Sequence, residues 1–123
     1  METLQIKIVK KSDFVFLVEL YGPMDSYTVP QFEERMAPIM QPGTKAIILE
    51  MKGVKYMSSM GIGAIFKLRQ FADTNRARFA MVNLQPPVQK VMETVDALPQ
   101  EAVFKSLKEL DEYLDQLQKK TKE

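Results

Sequence analysis

The side chains able to do chemistry gather in one stretch, Val54-Lys55-Tyr56-Met57-Ser58-Ser59-Met60-Gly61-Ile62-Gly63. Ser58 and Ser59 stand directly ahead of an apolar helical repeat, where a hydroxyl can accept from the free amides of a first helical turn. The same position suits a phosphate. That group adds about −1.5 to −2 charges, and helix-end amides together with the helix dipole attract it. A plain helix cap and a phosphate acceptor are therefore both open readings of these serines. Gly61 and Gly63 fall in the first turns of the helix, where each costs about 1 kcal/mol relative to Ala. Such residues imply close backbone approach by another chain segment, a partner or an anion. Neither a dinucleotide fingerprint nor a Walker lysine accompanies the Gly-x-Gly, so weak anion binding fits better than a nucleotide site.

Other chemistries are excluded by composition. The chain has no Cys and no His, which removes disulfides, thiolate nucleophiles, thiolate–imidazole zinc sites and Ser-His-Asp triads. Asp25, Glu50 and Lys55 are the remaining acid–base candidates near the loop, and nothing in their spacing sets them at catalytic distances. The expectation is a protein that is not an enzyme and needs no cofactor or metal. Seventeen basic and sixteen acidic residues leave a net charge of +1, which offers no electrostatic reason to expect nucleic acid as a direct partner. No run of about eighteen apolar residues is present, so no membrane span is expected. The start, Met1-Glu2-Thr3-Leu4-Gln5, lacks a signal-peptide pattern, and the expected location is the cytoplasm.

Elements that position the loop can be read from periodicity. The 123 residues, 46% hydrophobic and 27% charged, suit one globular domain. Leu4, Ile6 and Ile8 alternate with polar residues as an edge strand, and Phe14-Val15-Phe16-Leu17-Val18 reads as its hairpin partner, covered on both faces. Thr28, Pro30 and Gln31 look like a helix start, with Thr28 as cap and Gln31 as its reciprocal partner. Val29, Phe32, Met36 and Ile39 recur at helical spacing until Pro38 and Pro42-Gly43 intervene. Ala46-Ile47-Ile48-Leu49 reads as a central buried strand. A second helix runs from Gly61 to about Thr74, with Phe66 on its core side, and Arg78 to Val82 is another short strand. Pro86-Pro87 opens a third helix bearing Val88, Val91, Met92 and Val95. Val103-Phe104 is a possible edge strand. A last helix with Leu107, Leu110, Leu114 and Leu117 is expected to lay its stripe on the sheet, and Lys119 to Glu123 to fray. Alternating strands and helices imply parallel strands joined by crossovers. The predicted class is α/β: a single domain with a mixed, mainly parallel sheet of four to five strands packed with about four helices.

The order of these elements carries a resemblance. A hairpin, Gly22-Pro23-Met24-Asp25, a helix, Ala46-Ile47-Ile48-Leu49-Glu50-Met51, then Tyr56-Met57-Ser58-Ser59-Met60-Gly61-Ile62-Gly63 resembles a STAS domain, spanning residues 1–118 with 119–123 as a charged tail. The chain is most similar to the stand-alone bacterial anti-sigma factor antagonists, and Asn83-Leu84, Pro87-Val88 and Met92 match the family's later passage. The resemblance implies a regulator that binds an anti-sigma factor which is also a serine kinase. Phosphorylation ends that binding and a serine phosphatase restores it. Carried over by position, the phospho-acceptor is Ser59, with Ser58 as second choice, and the docking surface comprises Asp25, Tyr56, Met57, Ser58, Ser59, Met60, Gly61, Ile62 and Gly63. The family's Asp ahead of the acceptor falls on Ser58, and its following Ser or Thr falls on Met60. The alternative is a STAS docking or scaffold subunit, never phosphorylated, within a larger cytoplasmic assembly or a transporter complex.

Overall fold

The computed structural model of the chain describes residues 2–97 and 106–122. The alternating front of the sequence forms an antiparallel hairpin of β1 (Gln5–Ser12) and β2 (Val15–Tyr21). Phe14 makes the tight reversal with φ of 66°. Its carbonyl accepts from Lys45 N at 2.7 Å and Ala46 N at 3.2 Å, which ties the hairpin to the next strand. α1 (Val29–Met36) runs into one 3-10 turn, Ala37–Ile39, where Pro38 has no amide to continue the helix. β3 (Ala46–Gly53), α2 (Ser59–Asn75), β4 (Arg78–Val82), α3 (Pro86–Ala97) and α4 (Leu107–Lys122) follow. The sheet order is β1-β2-β3-β4, with β2, β3 and β4 parallel. The α/β class, the mixed sheet and the edge position of the first strand agree with the expectation, with four strands among the described residues.

Register explains which side chains are buried. Ile8 pairs with Val18, Val18 with Leu49 and Leu49 with Met81, so these four share one face of the sheet. Ile6 and Leu20, and likewise Phe16, Ile47 and Phe79, extend that face. Val29, Phe32 and Met36 of α1, Ile62, Ile65 and Leu68 of α2, Val88, Val91 and Met92 of α3, and Leu114 of α4 join it in a single cluster. Apolar burial of this kind is the dominant favourable contribution to such a fold.

Several expectations change. β2 is not covered on both faces: Val18 and Leu20 are fully buried, whereas Val15, Phe16, Leu17 and Glu19 are half-buried. An unbroken apolar run in sequence conceals this alternation, because half-exposed apolar residues are ordinary on a sheet. Thr28 occupies the cap position of α1, yet its hydroxyl donates to Pro23 O at 2.8 Å and accepts from Asp25 N at 3.0 Å. Gln31 reaches Leu4 O instead of a helix amide. Phe66 lies on the outer side of α2, 38% exposed, with the Arg69 guanidinium over its ring at 5.7 Å, and Phe71 is the one that packs against the core. α4 lies closest to α3, its Leu114 and Leu117 join the core cluster with the sheet residues, and it is helical through Lys122. Val103 and Phe104 lie outside the described residues.

Candidate functional site

The serine loop leaves the C-terminal end of a central parallel strand, the location where open α/β sheets carry their functional loops. Beyond Gly53 a turn closes with Val54 N donating to Met51 O at 2.9 Å. The chain then forms a single parallel bridge between Met57 and Met24. Met24 N donates to Tyr56 O and Ser58 N donates to Met24 O, both at 2.9 Å. This bridge brings the 22–28 turn, with Asp25, beside the start of α2.

Gly61 makes that approach possible. A Cβ there would stand 2.6 Å from Met24 O and 2.9 Å from Met57 Cγ. The close neighbour inferred from this glycine is therefore the chain's own Met24 turn. Gly63 faces open space, with nothing within 4 Å of a Cβ built on it. Ile62 is buried, and Met60 is 41% exposed on the surface of the first turn.

Ser58 sits at the cap position with extended backbone, φ −94° and ψ 179°, and its carbonyl accepts the first helical bond, from Ile62 N at 3.0 Å. Its hydroxyl makes no cap bond. Ser59 is the first residue of α2. Both hydroxyl oxygens are sealed from solvent and have no hydrogen-bond partner, an unusual state for buried polar atoms. The predicted hydroxyl at a helix start is thus present, but it is enclosed rather than open.

α4 is bonded to this loop at several points. Asp111 Oδ1 accepts from Ser59 N at 2.8 Å, so a carboxylate from 52 residues away does the capping expected of the serines. Gln118 grips the loop backbone twice: its Oε1 accepts from Met57 N at 2.8 Å and its Nε2 donates to Met57 O at 2.9 Å. The Tyr56 hydroxyl donates to the Asp115 carboxylate. Burial raises the Tyr56 phenol well above its ordinary pKa, helped by that bond and by the negative charges of Asp115, Asp111 and Asp25. Asp111, Asp115 and Gln118 were not among the sequence candidates. Their spacing of four and three residues beside the leucine stripe is the signal that marks them as one face of a helix.

Asp25 organises its own turn. Its Oδ1 accepts from Tyr27 N at 2.9 Å and Thr28 N at 3.1 Å, an Asx turn of the usual kind. Glu50 is engaged elsewhere, accepting from Lys52 N at 2.9 Å and Asn83 Nδ2 at 2.8 Å. A separate apolar cavity of about 260 Å³ lies between α1 and α2, lined by Phe32, Met36, Ala64 and Leu68. The Lys67–Glu33 ion pair at 2.9 Å joins the two helices beside it. No group of three metal-ligating side chains occurs among the described residues. No described helix is long and apolar enough to cross a membrane.

Comparison with known proteins bears on the family and the fold. The chain is 41% identical over 51 residues to an anti-sigma-B factor antagonist of Staphylococcus aureus (strain NCTC 8325 / PS 47), a match covering 42% of this chain and 47% of that protein. The chain thus spans about half the length of the relatives it matches in this way. Among solved structures it is similar to the anti-sigma factor antagonist SpoIIAA in its unphosphorylated form, with a TM-score of 0.67 and 19% identity over 75% of this chain and 81% of that one. The Bacillus cell fate determinant SpoIIAA in the phosphorylated form gives a TM-score of 0.63 and 18% identity, over 74% and 83% of the two chains. These likenesses concern the fold. The STAS domain model matches residues 5–110, and on that extent of sequence, with the sheet order and serine loop described above, the chain belongs to the STAS domain family.

Proposed function

We propose that the protein is an anti-sigma factor antagonist, a binding protein without a catalytic step of its own, working in the cytoplasm. It docks through the start of α2 and the adjoining 22–28 turn onto an anti-sigma factor that is also a serine kinase. Phosphate on Ser59 ends the docking, and a serine phosphatase restores it. The observation that carries this reading is Ser59 itself: it is the first residue of α2, at the end of a central parallel strand, with its hydroxyl engaged by no other group. The names borne by its relatives support the partner class.

The contact surface follows from exposure. Met60 and Tyr27 are exposed large side chains near the serines, and methionine adapts readily to a partner's shape. Phosphate at Ser59 would introduce about −1.5 to −2 charges next to the exposed Met60, and desolvating them against a partner is unfavourable.

Affinity capture from the native host tests the reading. Wild type and Ser59→Ala are expected to retain an anti-sigma factor of the kinase type, identified by mass spectrometry. Ser59→Asp should lose at least about tenfold of it, equivalent to roughly 1.4 kcal/mol. Equal retention by all three chains would remove the switch.

One observation favours the second reading, a docking or scaffold subunit that is never phosphorylated. The Ser59 hydroxyl oxygen is sealed from solvent. The intact mass of protein isolated from its own source discriminates: a stoichiometric phosphate on Ser59 contradicts the scaffold.

A further inference from the structure

The face of α4 that closes the serine loop uses the same groups a phosphate on Ser59 would need. The Ser59 amide, the first donor at the start of α2, is taken by Asp111. Asp115 holds the Tyr56 hydroxyl and Gln118 holds both backbone groups of Met57. A phosphoryl group on Ser59 would compete with Asp111 for the amide and add charge of the same sign beside Asp111 and Asp115. The Ser59 oxygen has no solvent exposure in this arrangement, in which α4 is bonded to the Ser59 amide and to Met57, so a modifying enzyme needs the surroundings of the acceptor to move.

We propose that α4 is a strap over the acceptor loop, released by negative charge on Ser59. Docked, it closes the acceptor and holds the loop through Asp111, Asp115 and Gln118. Once Ser59 carries negative charge, the two carboxylates no longer tolerate the docked position and the helix stays away. The strap rests on Ser59 being the acceptor, and it supplies what that reading lacks, a route by which an enclosed hydroxyl is exposed and then kept exposed. Leu114, fully buried in the core cluster, is the apolar anchor that α4 gives up on release.

Amide hydrogen exchange on the full chain tests the strap without any partner. Four chains are compared: wild type, Ser59→Glu, Gln118→Ala, and the triple variant Ser59→Glu/Asp111→Asn/Asp115→Asn. In Ser59→Glu, amides of 107–122 should exchange about tenfold faster or more, while those of β2 and β3 keep wild-type protection. Gln118→Ala, which adds no charge, should also speed exchange in α4. The triple variant should return α4 to near wild-type protection. A neutral side-chain carbonyl at position 111 can still accept from the backbone amide at position 59, and it does not repel the carboxylate introduced there. Unchanged α4 protection in Ser59→Glu or in Gln118→Ala would overturn the strap. So would faster exchange spread across β2 and β3, which is unfolding and not release of one helix. A triple variant as open as Ser59→Glu would overturn the charge basis. A rigid α4 leaves the docking proposal standing, whereas retention of the partner by Ser59→Asp overturns that proposal and leaves the exchange result intact.

Discussion

Gly61 and Gly63 stand two residues apart on one helix and do opposite things. Sequence spacing alone assigns both the same meaning, a helix weakened for the sake of close approach. Only Gly61 has that role, since any side chain there meets the Met24 carbonyl, a backbone atom unable to swing aside. Gly61→Ala is therefore expected to destabilise the fold by about 1–3 kcal/mol through overpacking. Gly63→Ala should stabilise it by up to about 1 kcal/mol, because the added methyl enters open space and the helix gains propensity. Urea unfolding of the two variants beside wild type checks both signs in one experiment. Loss of stability in both would mean that the surface at Gly63 is closed. The serines show a similar division between position and bonding. They occupy the cap and first positions of α2, but the capping oxygen belongs to Asp111.

At the scale of elements, the helix ends show what a sequence reveals and what it withholds. The serine loop was legible because a short apolar strand, two hydroxyls and a helical repeat follow one another within about twenty residues. The closure by α4 was not, because Asp111, Asp115 and Gln118 meet residues 52 to 61 positions away, a tertiary pairing that no local pattern encodes. Phe66 departs from its expected side for a related reason: α2 buries Ile62, Ile65 and Leu68, and a phenylalanine beside that stripe is apolar without being inside. Thr28 had the right position for a cap, but its hydroxyl oxygen accepts from Asp25 N while its proton goes to Pro23 O. The far end of α2 supplies a prediction. Arg76 ends the helix in the left-handed conformation, φ 56° and ψ 31°, with its amide donating back to the last turn. A side chain in this conformation costs about 1 kcal/mol that glycine does not, and the Arg76 side chain is exposed. Arg76→Gly should accordingly raise the denaturant midpoint, by a gain of up to about 1 kcal/mol with an unchanged slope. A lower midpoint would show that the Arg76 side chain contributes to the fold in a way its exposure does not suggest.

For the molecule as a whole, charge is the property on which both proposals converge. The chain is nearly neutral, with a formal net charge of +1, so long-range attraction contributes little to partner choice and contact at the serine loop must decide it. The neutrality is not uniform, for Asp25, Asp111 and Asp115 all act on Tyr56 at the same end of the molecule. A single phosphate at pH 7 adds about −1.5 to −2 charges, enough to invert the sign of the whole chain as well as to sharpen this acidic end. Protein isolated from its source should therefore separate into two populations on anion exchange at pH 7, and the retained one should be about 80 Da heavier, the mass of one phosphoryl group. Phosphatase treatment should merge the retained population with the other, and a source carrying Ser59→Ala should lack it. Persistence of the retained population in Ser59→Ala would move the modification to another hydroxyl, Ser58 first, since its oxygen shares the same enclosure. Because α4 closes over that acidic end, the retained population is also the one in which residues 107–122 should be cut first by a protease acting on exposed chain. Charge inversion and helix release would then be read from one preparation, and their separation, a phosphorylated chain with α4 still protected, would dismiss the strap while keeping the modification.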